Sequence, residues 1–451
     1  MVNFRPIDRA TPYLLPPSVE DWLPKEHLAR FVVDIVDQLD LSALTRQYRG
    51  TGSAAYHPTV MLSLLIYGYA TGVFSSRRIE AATHESIAFR YIAANEQPDH
   101  DSLCTFRKRF LKEIEALFVE VLRIAKQMKL LKLGTIALDG TKVHANASRH
   151  SALSYGHAQK IESQLEAEVK EMLARAEAAD QEPLPEGLSI PKELARREVR
   201  LAAIRQAKAQ IEARAAERDA VEQADFDAKM KAREEKTTRT GRKPGGKPPT
   251  PPSPGVRPTD QINLTDADSR IMPATGKGFE QCYNAQAAVD TESMLVVAPG
   301  LTQAPTDKQQ VAPMLEALSE LPKELGRVKR LLADTGFFSA ANVESCVEAK
   351  LEPLLAAGRD GHHPHWEERF TEPPPLAEPA SAVNRMKHRL KTRKGRALYA
   401  LRKQTVEPVF GIIKSVMHFR QFLLRGLEAV RGEWSLVTMA WNIKRMAVLA
   451  A

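Results

Sequence analysis

Between about Lys160 and Lys236 the chain turns over to Ala, Glu, Lys and Arg, with Ile161, Leu165, Val169 and Leu173 spaced by four. Leu194 with Leu201, and Ile204 with Ile211, repeat at seven. These are the periods of helices that pack along a narrow apolar seam. A break near Pro183 to Pro191 predicts two long helices. They fit an antiparallel arm that contacts a partner or DNA, or a charged hairpin that only faces water. Thr237 to Pro258 is rich in Pro, Gly, Lys and Arg, which predicts a disordered or extended linker. A chain of 451 residues exceeds one core and divides into domains. Strand-like sequence flanks the block on both sides, so any sheet is interrupted by it.

Before the block, from Pro24 to about Leu133, apolar residues recur at helical spacing: Leu28, Phe31, Val32 and Ile35, then Leu62, Leu65 and Tyr69. The pattern predicts an all-helical region. Ser75, and Asp101 or Ser102, are expected N-caps of short helices. Arg77, Arg78, Arg107 and Lys108 on those helices fit either a helix-turn-helix on a major groove or a solvated bundle surface. Gly134 to Gly140 reads as a buried strand with Asp139 at its C-terminal end. After the linker, Gly278–Asp290 and Met294–Leu301 read as a hairpin turning at Asp290 to Ser293. Thr306-Asp307 is expected to cap a helix running to about Leu321. Val328–Ala333 is a strand ending in Asp334, a helix follows from about Ser339, Leu351–Ala356 is a fifth strand, and helices continue from Val383 to the end.

Strand, helical insertion, two strands, helix, strand, helix, strand, helix is the ribonuclease H order, with an arm placed after the first strand. In that topology the first and fourth strands are neighbours, so Asp139 and Asp334 converge, and the following helical region brings Glu407. Glu407 is the only carboxylate between Val383 and Arg425, a stretch with twelve Lys and Arg. It is either the partner of Lys403 one helical turn back or a metal-binding acid in a surface built for a polyanion. Three converging carboxylates repel one another without metal, which favours a pair of divalent cations. Oxygen donors favour Mg²⁺ or Mn²⁺ over zinc. Asp266 and Asp268 are expected in a turn, His362, His363 and His365 in a loop without a zinc pattern, and Phe337 and Phe338 in the core. The formal net charge of +8 favours an acidic partner. Cys104, Cys282 and Cys346 lie too far apart for a metal motif or disulfide framework. The N-terminus lacks the pattern of a signal peptide, and Val60 to Phe74 is too short to span a bilayer. The expectation is a soluble cytoplasmic protein with no membrane contact.

The chain resembles the DDE-type transposases of bacterial insertion sequences. The resemblance rests on Leu138-Asp139-Gly140-Thr141, on Ala333-Asp334-Thr335-Gly336-Phe337 and on Glu407-Pro408-Val409-Phe410-Gly411-Ile412-Ile413-Lys414. It extends to Ser75 through Glu80, Pro98-Asp99-His100, Asn263 through Asp266 and Tyr283 through Gln286. Many such enzymes carry Tyr, two residues, Arg, three residues, Glu, six residues, Lys. Tyr399, Arg402, Glu407 and Lys414 match, except that four residues separate Arg402 from Glu407, whereas Lys403 has the expected spacing. The resemblance implies a helical N-terminal DNA-binding domain over 1–133 and a ribonuclease H-like catalytic domain of mixed sheet (α+β or α/β). The catalytic domain would begin at 134–150, be interrupted by an arm (151–236) and a linker (237–260), and resume over 261–451.

It implies that Asp139, Asp334 and Glu407 hold two Mg²⁺ ions, with Mn²⁺ as substitute. Tyr399, Arg402, Lys403, Lys414, Arg77, Arg78, Arg107 and Lys108 would contact DNA. The activity implied is cleavage and strand transfer at terminal inverted repeats, by a homodimer on the DNA. A nuclease of this fold without strand transfer, or a DNA-binding protein without catalysis, are the alternatives. Pro408 is expected to kink the helix that carries Glu407 or to begin a new one.

Overall fold

Proline at a first helical position and glycine just past a last one delimit the most buried N-terminal helix. Pro58 opens it, the His57 Nδ1 before it accepts from Thr59 N at 3.3 Å, and Gly72 closes it at φ 86°. The computed structural model describes residues 18–48, 55–178, 189–242, 245–274, 278–358, 367, 371–377 and 379–451. The described chain divides into two compact units, one formed up to Asn146 and from Met272 onward, the other from Ala147 to Ile271.

In the first unit the N-terminal helices are α1 (Val19–Trp22), α2 (Leu28–Val36), α3 (Ser42–Thr45), α4 (Pro58–Thr71), α5 (Ser76–Glu85), α6 (Ile87–Ile92), α7 (His100–Arg109) and α8 (Leu111–Gln127). Apolar residues occupy every side of α4, so it is buried from Met61 to Ala70 instead of showing one inward stripe. The cap of α7 is Asp99, not Asp101 or Ser102: its Oδ1 accepts from Ser102 N at 2.8 Å. Ser75 sits at the cap position of α5 without a side-chain hydrogen bond.

Eight strands follow: β1 (Leu133–His144), β2 (Ala152–Ser154), β3 (Gln261–Asn263), β4 (Arg270–Ala274), β5 (Gly278–Asp290), β6 (Val296–Thr302), β7 (Gly326–Ala333) and β8 (Glu352–Leu355) among the described residues. The main sheet runs β4-β5-β1-β7-β8, with β6 on β5. β1 pairs antiparallel with β5 and parallel with β7, and β8 extends the parallel side. This is the mixed sheet of a ribonuclease H-like fold, with the helical N-terminal region before it and the long helical insertion after β1. β1 is longer than expected, because Thr141 to His144 keep pairing with Cys282 to Ala285 after β7 has left. Asp139 therefore lies mid-strand, one residue past the last β1–β7 pair, Leu138↔Ala333.

The remaining helices of this unit are α11 (Val311–Ser319), α12 (Ala340–Glu348), α13 (Ala382–Lys391), α14 (Arg393–Ser415) and α15 (Leu427–Ala450), numbered after α9 and α10 of the insertion. The helix expected at Thr306-Asp307 starts later and ends earlier. Gln310 precedes α11, and Asp307 caps nothing because its carboxylate is engaged elsewhere.

α15 fastens the sheet to the N-terminal helices. Trp434 Nε1 donates to Gln286 O at 2.9 Å, and Asn442 pairs with both backbone polar groups of Val296 at 2.8 Å. On its other side, fully buried Glu433 accepts from Tyr69 Oη at 2.7 Å and from the Leu423 and Leu424 amides. Arg107 Nη1 donates to the same Tyr69 oxygen at 3.1 Å. Arg107 is 5% exposed, which corrects the expectation that it contacts DNA: its guanidinium is committed to this interior network. Among the described residues no single helix is long and apolar enough to cross a membrane.

The second unit holds α9 (Tyr155–Ala178) and α10 (Ile190–Thr240), packed antiparallel. Leu165, Leu201, Ile204, Ala207 and Ile211 form its buried seam. Glu168 with Arg197 at 2.7 Å, and Glu162 with Lys208 at 2.5 Å, fix the register. Leu173 is exposed, so the seam does not extend along the whole of α9. The expected linker divides: α10 continues to Thr240, and the extended residues that follow are fastened back onto it. Arg233 donates to Gly246 O at 2.8 Å, and Arg218 pairs with Asp260 at 2.9 Å. Asp266 is buried, and its Oδ1 accepts from Asp268 N, the expected turn.

Removing Arg107 leaves the Glu433 carboxylate buried without its cation. We expect Arg107→Met to lower stability in chemical denaturation by about 3–5 kcal/mol. Glu433→Gln in the same chain should recover part of that loss; a double variant no more stable than the single one would contradict a charge-based network.

Candidate active site

Strands that part create the opening. Beyond the Leu138↔Ala333 pair, β7 ends and β1 continues, so Asp139 and Asp334 leave the parallel seam as neighbours at its C-terminal edge. Asp334 Oδ1 accepts from Gly336 N at 2.8 Å, which caps the turn Thr335–Phe337 and fixes the carboxylate. Asp139 Oδ1 accepts from Gly140 N at 2.8 Å. Phe337 is buried in the core, as expected, while Phe338 lies under the Lys387 ammonium at 5.6 Å.

α14 supplies the rest. Thr405, Val406, Val409, Phe410 and Ile413 form its buried stripe, and the helical period carries that stripe back to Arg402. Arg402 Nη1 meets Asp139 Oδ2 at 3.0 Å and its Nη2 meets Glu407 Oε1 at 2.8 Å. Lys403 lies off the stripe and is exposed. The cation that contacts Glu407 is therefore Arg402, although Lys403 has the expected spacing. The helix also continues through Pro408, so no new helix begins there. Lys414 Nζ donates to Thr141 Oγ1 at 2.5 Å and Lys142 O at 2.7 Å, tying the far end of α14 to β1.

Burial pushes the Asp139 carboxyl up to about 6, against the pull of the Gly140 N–H and of Arg402, and the fields of Asp334 and Asp307 add to the rise. Burial alone would lower Arg402, but Asp139, Tyr399, Glu407 and Asp334 outweigh it and hold the guanidinium above its ordinary value. Burial also raises Tyr399, which stands against Arg402, and lowers Lys414.

Asp139 and Glu407 thus share one guanidinium, with Asp334 beside them. Among the described residues, however, no three His, Cys, Asp or Glu side chains stand close enough to hold one metal ion; Arg402 occupies the space between the two acids it bridges. The donors fit a hard cation such as Mg²⁺ or Mn²⁺, since every acid here offers carboxylate oxygens and the neighbouring Asn284 Oδ1 and Gln286 Oε1 are buried without a donor.

Sequence reasoning missed Asp307. Its Oδ1 accepts from Asn284 Nδ2 and Gln286 Nε2, both at 2.7 Å, with Lys142 Nζ at 3.9 Å. The signal was present in β5, where Asn284 and Gln286 are polar residues in its most apolar stretch, Cys282 to Val289. His362, His363 and His365 lie outside the described residues.

The twelve cations between Val383 and Arg425 do not form one field. Arg389 pairs with Glu352 at 2.9 Å, and Arg425 Nε donates to Asn146 O at 3.0 Å. Arg385, Lys387, Lys391, Arg393, Lys394 and Lys403 are exposed along α13 and α14. Arg77, Arg78 and Lys108 are exposed as well.

A carboxyl at about 6 when folded, against 3.8 ordinarily, stabilises the fold fully below pH 4 and loses that contribution as pH rises through 6. Asp139→Asn removes this dependence. Between pH 4 and 7 in metal-free buffer, the variant should gain about 3 kcal/mol relative to wild type in thermal unfolding; a difference that stays flat across the range would rule out the raised value.

Residues 17–109 match the family described as Transposase domain (DUF772), and residues 259–443 match the Transposase DDE domain. The searches of curated proteins and of solved structures returned no match. The first match covers α1 to α7, and the second takes in Asp334, Arg402 and Glu407. The chain belongs to the DDE-type transposases of insertion sequences.

Proposed function

We propose that this transposase binds the terminal inverted repeats of its element and catalyses metal-dependent cleavage and strand transfer, with Asp139, Asp334 and Glu407 as its catalytic acids. The observation that carries the proposal is the pair of contacts from one buried guanidinium, Arg402, to Asp139 at 3.0 Å and Glu407 at 2.8 Å. Residues so distant in sequence meet at the parting of β1 and β7, with Asp334 beside them. When bound, two Mg²⁺ ions, or Mn²⁺, would supply an activated water or DNA 3′-hydroxyl and stabilise the leaving oxygen.

The chain's own residues do the positioning. The Lys414 ammonium fixes α14 to β1 and so holds Glu407 in register with Asp139. Arg402 pairs with both acids, and with metal bound to them its guanidinium would be available to a phosphate, for which its planar donor fork is suited. The exposed cations of α13 and α14 would hold the DNA backbone without reading sequence. Arg77 and Arg78 on α5 and Lys108 on α7 are candidates for repeat binding. Two element ends must be brought together, so the working form on DNA is proposed to be a homodimer.

Purified protein, Mg²⁺, a labelled terminal-repeat fragment and a target plasmid test this directly. Joined products support strand transfer, cuts alone a nuclease of the same fold, and a mobility shift without cuts a binder. In this assay Glu407→Gln should retain repeat binding while cleavage falls by about 10²–10³-fold. Wild-type cutting rates in that variant would remove Glu407 from the site.

A further inference from the structure

We propose that Asp307 is a fourth acid of this site, supplying a carboxylate oxygen to a divalent cation held by Asp334. The proposal rests on the reading of Asp139, Asp334 and Glu407 as metal-binding acids and adds a residue to it.

Asp307 is built into the sheet from two strands. Its Oδ1 receives the amides of Asn284 and Gln286, each at 2.7 Å. In the β1–β5 ladder Asn284 pairs with Lys142 and Gln286 with Gly140, so the carboxylate is held over the strand pair immediately after Asp139. Gly140 makes this approach possible: a Cβ there would collide with Gln286 Nε2 and stand 2.5 Å from Asp307 Oδ1.

The other oxygen is left available. Among the described residues no donor reaches Asp307 Oδ2. It lies 3.7 Å from the point where a Gly336 Cβ would stand, and Asp334 Oδ1 lies 3.0 Å from the same point. Two carboxylates from different segments therefore face one small volume.

A second, independent observation points to what fills it. Asn284 and Gln286 are 0% and 1% exposed, yet Asn284 Oδ1 and Gln286 Oε1 have no hydrogen-bond donor. Orphaned buried acceptors are costly. Asn284 Oδ1 stands 2.9 Å from the Gly140 Cβ point, beside the Asp307 carboxylate. Mg²⁺ and Mn²⁺ favour carboxylate oxygens, and Mg²⁺ usually keeps several of its waters when one or two carboxylates bind it. Such waters would donate to the two amide oxygens while Asp307 and Asp334 hold the ion.

Mn²⁺ titration of the full-length chain, followed by electron paramagnetic resonance of the free ion, tests this without any turnover. Asp307→Asn keeps an oxygen for both amides, so its metal-free melting temperature should stay near wild type. Its Mn²⁺ affinity, like that of Asp334→Asn, should fall by about 10–100-fold, and Asp307→Glu should recover part of the loss. If Asp334→Asn weakens binding and Asp307→Asn does not, Asp307 only clamps the two amides and the proposal fails alone. Should both Asn variants bind Mn²⁺ as wild type does, the metal-site reading fails and takes the proposal with it. If Asp307→Asn loses Mn²⁺ but Asp307→Glu recovers none of it, the loss is structural and the proposal is again overturned.

Discussion

A single guanidinium sets the terms for the site. Arg402 is almost fully buried and holds Asp139 with one nitrogen and Glu407 with the other. Burying a charge is tolerable only when it is paired and hydrogen-bonded, so α14 can lie against β1 only in the register that brings this side chain to both acids. The Lys414 contacts with Thr141 and the Lys142 carbonyl fix the same register more than three helical turns further on. Glu407 itself stays half exposed, with a carboxylate oxygen to offer outward. Without metal, Arg402 offsets the charge of two acids that would otherwise be paired with nothing.

The frame around this contact follows from where strands stop. β7 ends at Ala333 while β1 continues along β5, so the parallel seam stops where the antiparallel one goes on. Asp139 and Asp334 fall at that point because they follow the last residues that pair across it. α15 then closes the unit, linking β5 and β6 through Trp434 and Asn442 to the N-terminal helices through Glu433. The insertion is self-contained in a different way. Its first and last strands pair with each other, Ala152 with Asn263 and Leu153 with Ile262, so its chain enters and leaves at one place. A long arm can then be added after β1 without separating the strands that form the site.

Periodicity made much of this legible. The β-branched and apolar runs gave β1, β5, β6, β7 and β8 close to their observed places, and the seven-residue repeats marked the antiparallel arm whose seam holds Leu201, Ile204 and Ile211. What depends on a distant partner was not legible. Arg107 has the sequence context of a surface arginine, and only the approach of Tyr69 and Glu433 makes it interior. Residue spacing left Arg402 and Lys403 both open beside Glu407, and it is Arg402, on the buried stripe of α14, that contacts it. Asp307 resembled a helix cap because its true partners, Asn284 and Gln286, lie on β5. β1 outran its apolar segment because ladder hydrogen bonds, not hydrophobicity, carry Thr141 to His144 onward. In each case a side chain or backbone group found a partner that sequence distance conceals.

The central claim is that Asp139, Asp334 and Glu407 bind metal, and that Asp139 and Glu407 exchange Arg402 for it. Anomalous diffraction from crystals of the chain bound to terminal-repeat DNA and Mn²⁺ addresses it most directly. The account predicts manganese peaks at coordination distance, about 2.0–2.3 Å, from oxygens of these acids, with Arg402 withdrawn from at least one of them toward a DNA phosphate. Manganese bound elsewhere, with Arg402 still bridging Asp139 and Glu407 beside the DNA, would contradict it.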